Sequence, residues 1–323
     1  MPPIRLVTVS VLAAVTLGGL LLSSGSSSAT PVDDAARAGG FEPIGRISTA
    51  QTLHPVGMTH LEFSRGKDRP LPTEVWYPAV GPAQRAGVRP RTTVDASPAS
   101  GRFPLIVWSH GLFSNPMQQQ DIIRFFAESG FVVVGATYPH TAVDGPTFSR
   151  ADIVNQPLDA SYVLTKMLEP GNPIEPHIDP TRMAAVGHSA GGTTTDGIFT
   201  IHRDPRFKAG IIISGRPQGA YRGSPVPLLF VHGDKDPVVA YGQGRQSYAA
   251  DKWAKAFLTM INTEHGAGLG FPDRGHPQVT TTMLDFLRWT LDGSTAARDR
   301  LPMDGNVPGI SRYEAVGIPA EGH

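Results

Sequence analysis

Five residues, Gly187-His188-Ser189-Ala190-Gly191, constrain this chain more than any other stretch. They follow the apolar run Met183-Ala184-Ala185-Val186 and precede Gly192 and three threonines, so a buried strand turns sharply into a helix around a serine. Such a turn needs small residues on both sides, because the serine sits at a strained backbone position that lifts its hydroxyl out of the sheet. With 36 glycines in 323 residues, the motif by itself could equally be a glycine-rich turn. The rest of the chain decides between the two.

A length of 323 residues with 40% hydrophobic and 17% charged content supplies a sizeable core and too little charge for a disordered chain, which favours one large α/β domain. Acidic and basic residues both number 28, so no electrostatic footprint for nucleic acid or an anionic membrane is expected. Zero cysteines exclude disulfides, metal thiolates and a cysteine nucleophile together. Arg5, the uncharged run Leu6 to Leu22 and the small residues ending Ser27-Ser28-Ala29 read as a signal peptide over 1–29, cleaved after Ala29. The protein is then secreted, without stable membrane insertion after cleavage. The length of the apolar run leaves an uncleaved N-terminal anchor as the alternative.

Residues 30–45 read as a flexible leader, 46–292 as the catalytic domain and 293–323 as an irregular tail that drapes over the surface or is partly disordered. Gly57 to Ser64 and Leu71 to Tyr77 alternate like half-buried antiparallel strands, and Gly81 to Gly101 reads as a loop. Strand-like runs recur at Leu105 to Trp108, Phe131 to Val134, Met183 to Val186, Ala209 to Ile213, Leu228 to Val231 and Ala256 to Ile261. Helical spacing marks Met117 to Glu128, Ile153 to Leu168 and Val279 to Leu291. This alternation predicts a mostly parallel central sheet with helices on both faces, and ligands beyond the carboxyl ends of its strands.

A serine hydroxyl needs a base to take its proton, and the base needs a carboxylate to fix its tautomer and stabilise its charge. Asp236 is the expected acid, projected from a turn closed by Pro237, with Asp234 organising that turn through backbone amides. His265, just after the strand ending at Ile261, is the expected base. His276 is its rival, placed where a helix-entry histidine commonly stands. His188 and His110 are expected as structural neighbours, with His188 turned away from the serine hydroxyl. The oxyanion donors expected are the amides of Ala190, which opens a helix, and Leu112, which follows a close-approaching Gly111. Phe113, Met117, Tyr138 and His140 follow strand ends and are candidates to line a substrate pocket, although ordinary packing is the other reading of aromatic residues there. A metal site from His232, Asp234 and His276 matches in residue type only, since the spacing fits no closed site.

Four segments in order carry a resemblance: Leu71-Pro72-Thr73-Glu74-Val75-Trp76-Tyr77-Pro78, Trp108-Ser109-His110-Gly111, Gly187-His188-Ser189-Ala190-Gly191-Gly192 and Asp204-Pro205-Arg206-Phe207-Lys208-Ala209. The chain resembles the α/β-hydrolase superfamily, in the branch of dienelactone hydrolase-like proteins, platelet-activating-factor acetylhydrolase-like esterases and cutinase-like polyester hydrolases. The resemblance implies hydrolysis of a small-molecule or polymeric ester through a serine acyl-enzyme, with Ser189, Asp236 and His265 as the triad and no cofactor. There are departures. Dienelactone hydrolase proper uses a cysteine that this chain lacks. The cutinase-like group usually carries methionine where Ala190 stands, together with a C-terminal disulfide, so polymer hydrolysis is not the favoured reading.

No insertion between Ala209 and Leu228 is long enough for an independent lid, which suits short acyl esters or an extended substrate. The remaining readings are a lipase, a peptidase using the same triad, and a catalytically silent fold serving as an exported binding protein.

Overall fold

The computed structural model of the protein describes residues 53–82 and 92–319. The expected signal peptide and flexible leader lie outside those residues. The strands are β1 (Val56–Ser64), β2 (Pro70–Pro78), β3 (Thr92–Val94), β4 (Phe103–Ser109), β5 (Val132–Ala136), β6 (Ile178–His188), β7 (Ala209–Ile213), β8 (Leu228–Gly233), β9 (Lys255–Met260) and β10 (Ser311–Val316). The helices are α1 (Gln120–Glu128), α2 (Gln156–Met167), α3 (Ala190–Phe199), α4 (Tyr241–Ala250), α5 (His276–Asp292) and α6 (Thr295–Gly305). The strands form one sheet in the order β10-β9-β8-β7-β6-β4-β5-β2-β1-β3. From β5 through β9 all neighbours are parallel. The hairpin β1–β2 joins antiparallel to β5, and β10 joins antiparallel to β9.

Continuous apolar strands are required here because both faces of the sheet are covered. Along β4, Ile106 and Trp108 point into one core with Ile123 and Phe126 of α1 and Met283 and Phe286 of α5. The alternate residues Leu105 and Val107 point into the other, with Val163 and Leu164 of α2 and Phe199 of α3. The period of two along the strand thus meets helices on both sides, as the α/β-hydrolase architecture requires. Among the described residues no helix is long and apolar enough to cross a membrane.

Two expectations are corrected. Within the segment read as a loop from Gly81 to Gly101, Thr92–Val94 form a short strand parallel to β1. The segment read as an irregular tail builds α6 and β10. Its periodicity is weak because Ala297 and Leu301 are the buried apolar pair of α6, and Tyr313 is the one buried large apolar residue of β10. Pairing to β9 at the sheet edge, with Tyr313 opposite Leu258, supplies the order that the sequence pattern does not announce.

Leu301 is fully buried against the core under α5 and α6. Leu301→Ala should therefore lower the unfolding free energy by about 2–5 kcal/mol, as for other buried leucines. Urea denaturation followed by circular dichroism measures it, and a change near zero would return this segment to the status of a surface tail.

Candidate active site

Ser189 sits between the end of β6 and the start of α3 with φ 61° and ψ −117°, a conformation that side chains other than glycine rarely adopt. The turn is held from both sides. The Ser189 amide donates to the Ile213 carbonyl of β7 (2.9 Å), and the Thr193 amide donates to the Ser189 carbonyl (3.0 Å). The elbow packs so closely on β4 that a Cβ on Gly191 would land on the Ser109 carbonyl, which explains the glycine there.

The loops after β8 and β9 bring two further groups to this turn. Ser189 Oγ lies 2.7 Å from His265 Nε2, and His265 Nδ1 lies 2.8 Å from Asp236 Oδ2. The carboxylate only accepts, so Nδ1 carries the proton and the Nε2 lone pair receives the serine hydroxyl. Asp236 Oδ1 accepts from the amides of Val238 and Val239, both at 2.8 Å, which fixes the carboxylate's second oxygen for His265. Burial pushes the Asp236 carboxyl up, but the bonds from His265, Val239 and Val238 outweigh it and hold the group below the usual aspartate range. Asp234 accepts from the Asn262 amide (2.7 Å), tying the loop after β8 to the loop after β9.

Gly111 brings the loop after β4 against the serine: a Cβ there would stand 3.3 Å from Ser189 Cβ. His110 sets the orientation of the next peptide. Its Nε2 accepts from the Tyr138 amide (3.0 Å), so its Nδ1 carries the proton and donates to the Gly111 carbonyl (2.7 Å). The Leu112 N–H belongs to that same trans peptide and must point opposite to the captured carbonyl. The following amide, Phe113, is already bonded to the Thr141 carbonyl (2.8 Å). Burial drives the His110 pKa down to about 4, so the ring stays neutral in this role.

The remaining candidates fall in different places. Phe113 is 58% exposed and stacks on Phe148, with ring centroids 4.1 Å apart. Met117 is partly buried against the core, and His140 bonds Thr147 Oγ1 (2.6 Å). Tyr138 does not line a pocket, because its ring is buried in the core and its hydroxyl pairs with Ser109 Oγ (2.8 Å). His276 opens α5 and donates from Nδ1 to the Gly268 carbonyl (3.1 Å). His232 donates to the Val239 carbonyl (2.8 Å), and His232, Asp234 and His276 do not converge as a metal-binding group.

His188 has a larger part than expected. Its ring packs 5.0 Å from that of His265, and its Nε2 donates to the His265 carbonyl (2.8 Å). Nothing in the spacing of the sequence points to this contact.

With this geometry in view, the comparisons with known proteins can be set beside it. A family model described as PETase, PET hydrolase-like, matches residues 92–301. The chain belongs to that family. It is 32% identical over 196 residues to the cutinase est1 of Thermobifida alba, a match covering 58% of this chain and 62% of that protein. It is 22% identical over 217 residues to the uncharacterized protein YfhR of Escherichia coli K12, covering 60% of this chain and 73% of that one. Among solved structures, a ferulic acid esterase from Streptomyces cinnamoneus superposes with a TM-score of 0.60 at 19% identity, covering 76% of this chain and 92% of that chain, which supports the fold.

Neutral His110 has a consequence for stability. Its depressed pKa means that the unfolded chain, with a histidine near 6.5, binds a proton that the folded chain refuses until about pH 4. Its contribution to stability is therefore complete above about pH 6.5 and falls as the pH drops toward 4. His110→Gln, which cannot charge, should show a shallower loss of Tm over that interval than the wild type in buffered thermal melts. Parallel curves would show that His110 is not the neutral buried group described.

Proposed function

We propose that the protein is a serine-dependent carboxylic ester hydrolase. One observation carries the reading: the hydrogen-bonded line from Ser189 Oγ through His265 to Asp236, with links of 2.7 and 2.8 Å, at the carboxyl ends of parallel strands. Membership of the PET hydrolase-like family and the cutinase relative support the same chemistry.

In this mechanism Ser189 Oγ attacks the ester carbonyl while His265 Nε2 takes its proton. Asp236 holds the ring in the Nδ1–H tautomer and stabilises the imidazolium. The negative charge that develops on the carbonyl oxygen is received by the amides of Ala190 and Leu112. The first is at the head of α3, where the helix dipole adds positive potential. The second is the peptide that His110 orients. His265 then returns the proton to the departing alcohol, and water repeats the sequence on the acyl-enzyme. The chemistry calls on no cofactor.

The substrate reading is a short to medium acyl ester, with export by the N-terminal signal peptide. Residues 214–227, between β7 and β8, carry no helix that could close over the serine. A polymeric ester is the second reading. It is favoured by the exposed Phe113–Phe148 stack beside the oxyanion loop, a flat apolar platform suited to an aromatic or extended chain.

Hydrolysis of p-nitrophenyl esters from acetate to palmitate by the wild type and Ser189→Ala tests both levels. The expected result is a loss of roughly 10⁶-fold in kcat for the variant, no labelling of it by a fluorophosphonate, and a wild-type preference for chains shorter than palmitate. Equal rates in the two proteins would overturn the serine mechanism. A palmitate optimum would overturn only the acyl-length reading. Inactivity on every ester, with Ser189 unlabelled, would favour a binding protein.

A further inference from the structure

A chain of three side chains ends on the backbone of His265. Trp108 Nε1 lies 2.7 Å from Gln119 Oε1, Gln119 Nε2 lies 3.1 Å from His188 Nδ1, and His188 Nε2 lies 2.8 Å from the His265 carbonyl. The direction of every bond follows from the first. An indole N–H can only donate, so the Gln119 oxygen accepts and its amide nitrogen donates. His188 Nδ1 must then be the acceptor, and its one proton sits on Nε2, facing a carbonyl that can only accept. The tautomer of His188 is therefore set by Trp108, a core residue of β4 that is itself fully buried. Ser214 Oγ, also fully buried, lies 3.4 Å from the same carbonyl.

We propose that His188 is a positioning residue for His265: the Trp108–Gln119–His188 chain anchors the His265 carbonyl, and with it the ring that stands between Ser189 and Asp236. This deepens the reading of His265 as the base and depends on it. The reason an anchor is needed is local. His265 leaves the sheet on a loop, not on a strand or helix, and the segment after it turns through Ala267 and Gly268, both at positive φ. Its side chain makes both of its bonds within the site, so the backbone carbonyl is where the rest of the fold can hold it. A displacement of about 1 Å in such a group costs on the order of 100-fold in rate.

The chain also keeps His188 neutral beside the base. The titratable or charged groups facing it are His265, Asp236 and His232 from β8 and the loops after β8 and β9. Asp121 of α1 faces it across a cavity of about 140 Å³. Burial pushes the His188 pKa down to about 4, and a second positive ring would stand 5.0 Å from an imidazolium at His265. With Nδ1 already accepting from Gln119, there is no acceptor there for a second proton.

Four variants of the full chain test this on p-nitrophenyl butyrate, with Tm recorded for each. His188→Phe keeps a ring but removes the donor, and should lower kcat roughly 10- to 100-fold with KM within about twofold. His188→Gln places an amide nitrogen near the lost Nε2 and should recover to within about threefold of wild type. Gln119→Leu removes the donor to Nδ1 and with it the constraint on the His188 tautomer, and should lower kcat roughly threefold or more with KM within about twofold.

The proposal is overturned if His188→Phe retains kcat within twofold. It is equally overturned if both His188 variants lose activity in step with Tm, or if Gln119→Leu keeps the wild-type kcat. Ser189→Ala is the control: activity surviving in it would remove the base assignment itself, whereas an inactive Ser189→Ala with a fully active His188→Phe removes only the positioning role.

Discussion

The structure depends on one strained turn. Ser189 at φ 61° costs on the order of 1–3 kcal/mol of backbone strain, and such a conformation persists only where the surroundings over-determine it. Here they do so through the sheet: β6 lies between β4 and β7, with the Ser189 amide bonded to β7 and Gly191 pressed on the Ser109 carbonyl of β4. The two central strands that build the core are thus the clamps that hold the serine. An expanded core would relax the turn, so packing and chemistry share the same atoms.

Burial of polar groups follows from that arrangement. His110, His188 and Asp236 all lie where the loops at the strand ends close over one another, and each is held in one protonation state by its partners. The two histidines are neutral because burial costs too much for a charge. Asp236 is ionised because three donors outweigh the same cost. The His265 ring, between Ser189 and Asp236, then faces one fixed negative charge at Asp236 and a neutral ring at His188.

Much of this was legible in the sequence, for a physical reason. Strands covered on both faces write themselves as apolar runs, and the residues just after the runs at β6, β8 and β9 include Ser189, Asp236 and His265. The structure brings those three together. What escaped depends on contacts between segments distant in sequence. Gln119 and His188 are 69 positions apart, and neither carries a pattern that names the other. Tyr138 read as a pocket residue because it follows β5, yet strand ends also supply core, and its ring is buried beside that of His110 with its hydroxyl paired to Ser109. Residues 293–323 read as a tail because an edge strand with one buried apolar side chain has almost no periodicity.

That misread segment bears directly on the site. The Ile261 amide, where the chain leaves β9, donates to the Ile310 carbonyl (2.8 Å), and Arg274 donates to the Gly309 carbonyl (2.7 Å). These bonds grip both ends of the stretch from 261 to 275 that carries His265, while His188 holds its middle at the His265 carbonyl. A loop held only at its ends keeps its tip free to drift, and a loop held only at its tip can pivot. Held along its length as well as at its ends, it can present an imidazole at hydrogen-bond distance to two partners at once. The turn between α6 and β10 is on this argument part of what holds the loop that carries His265.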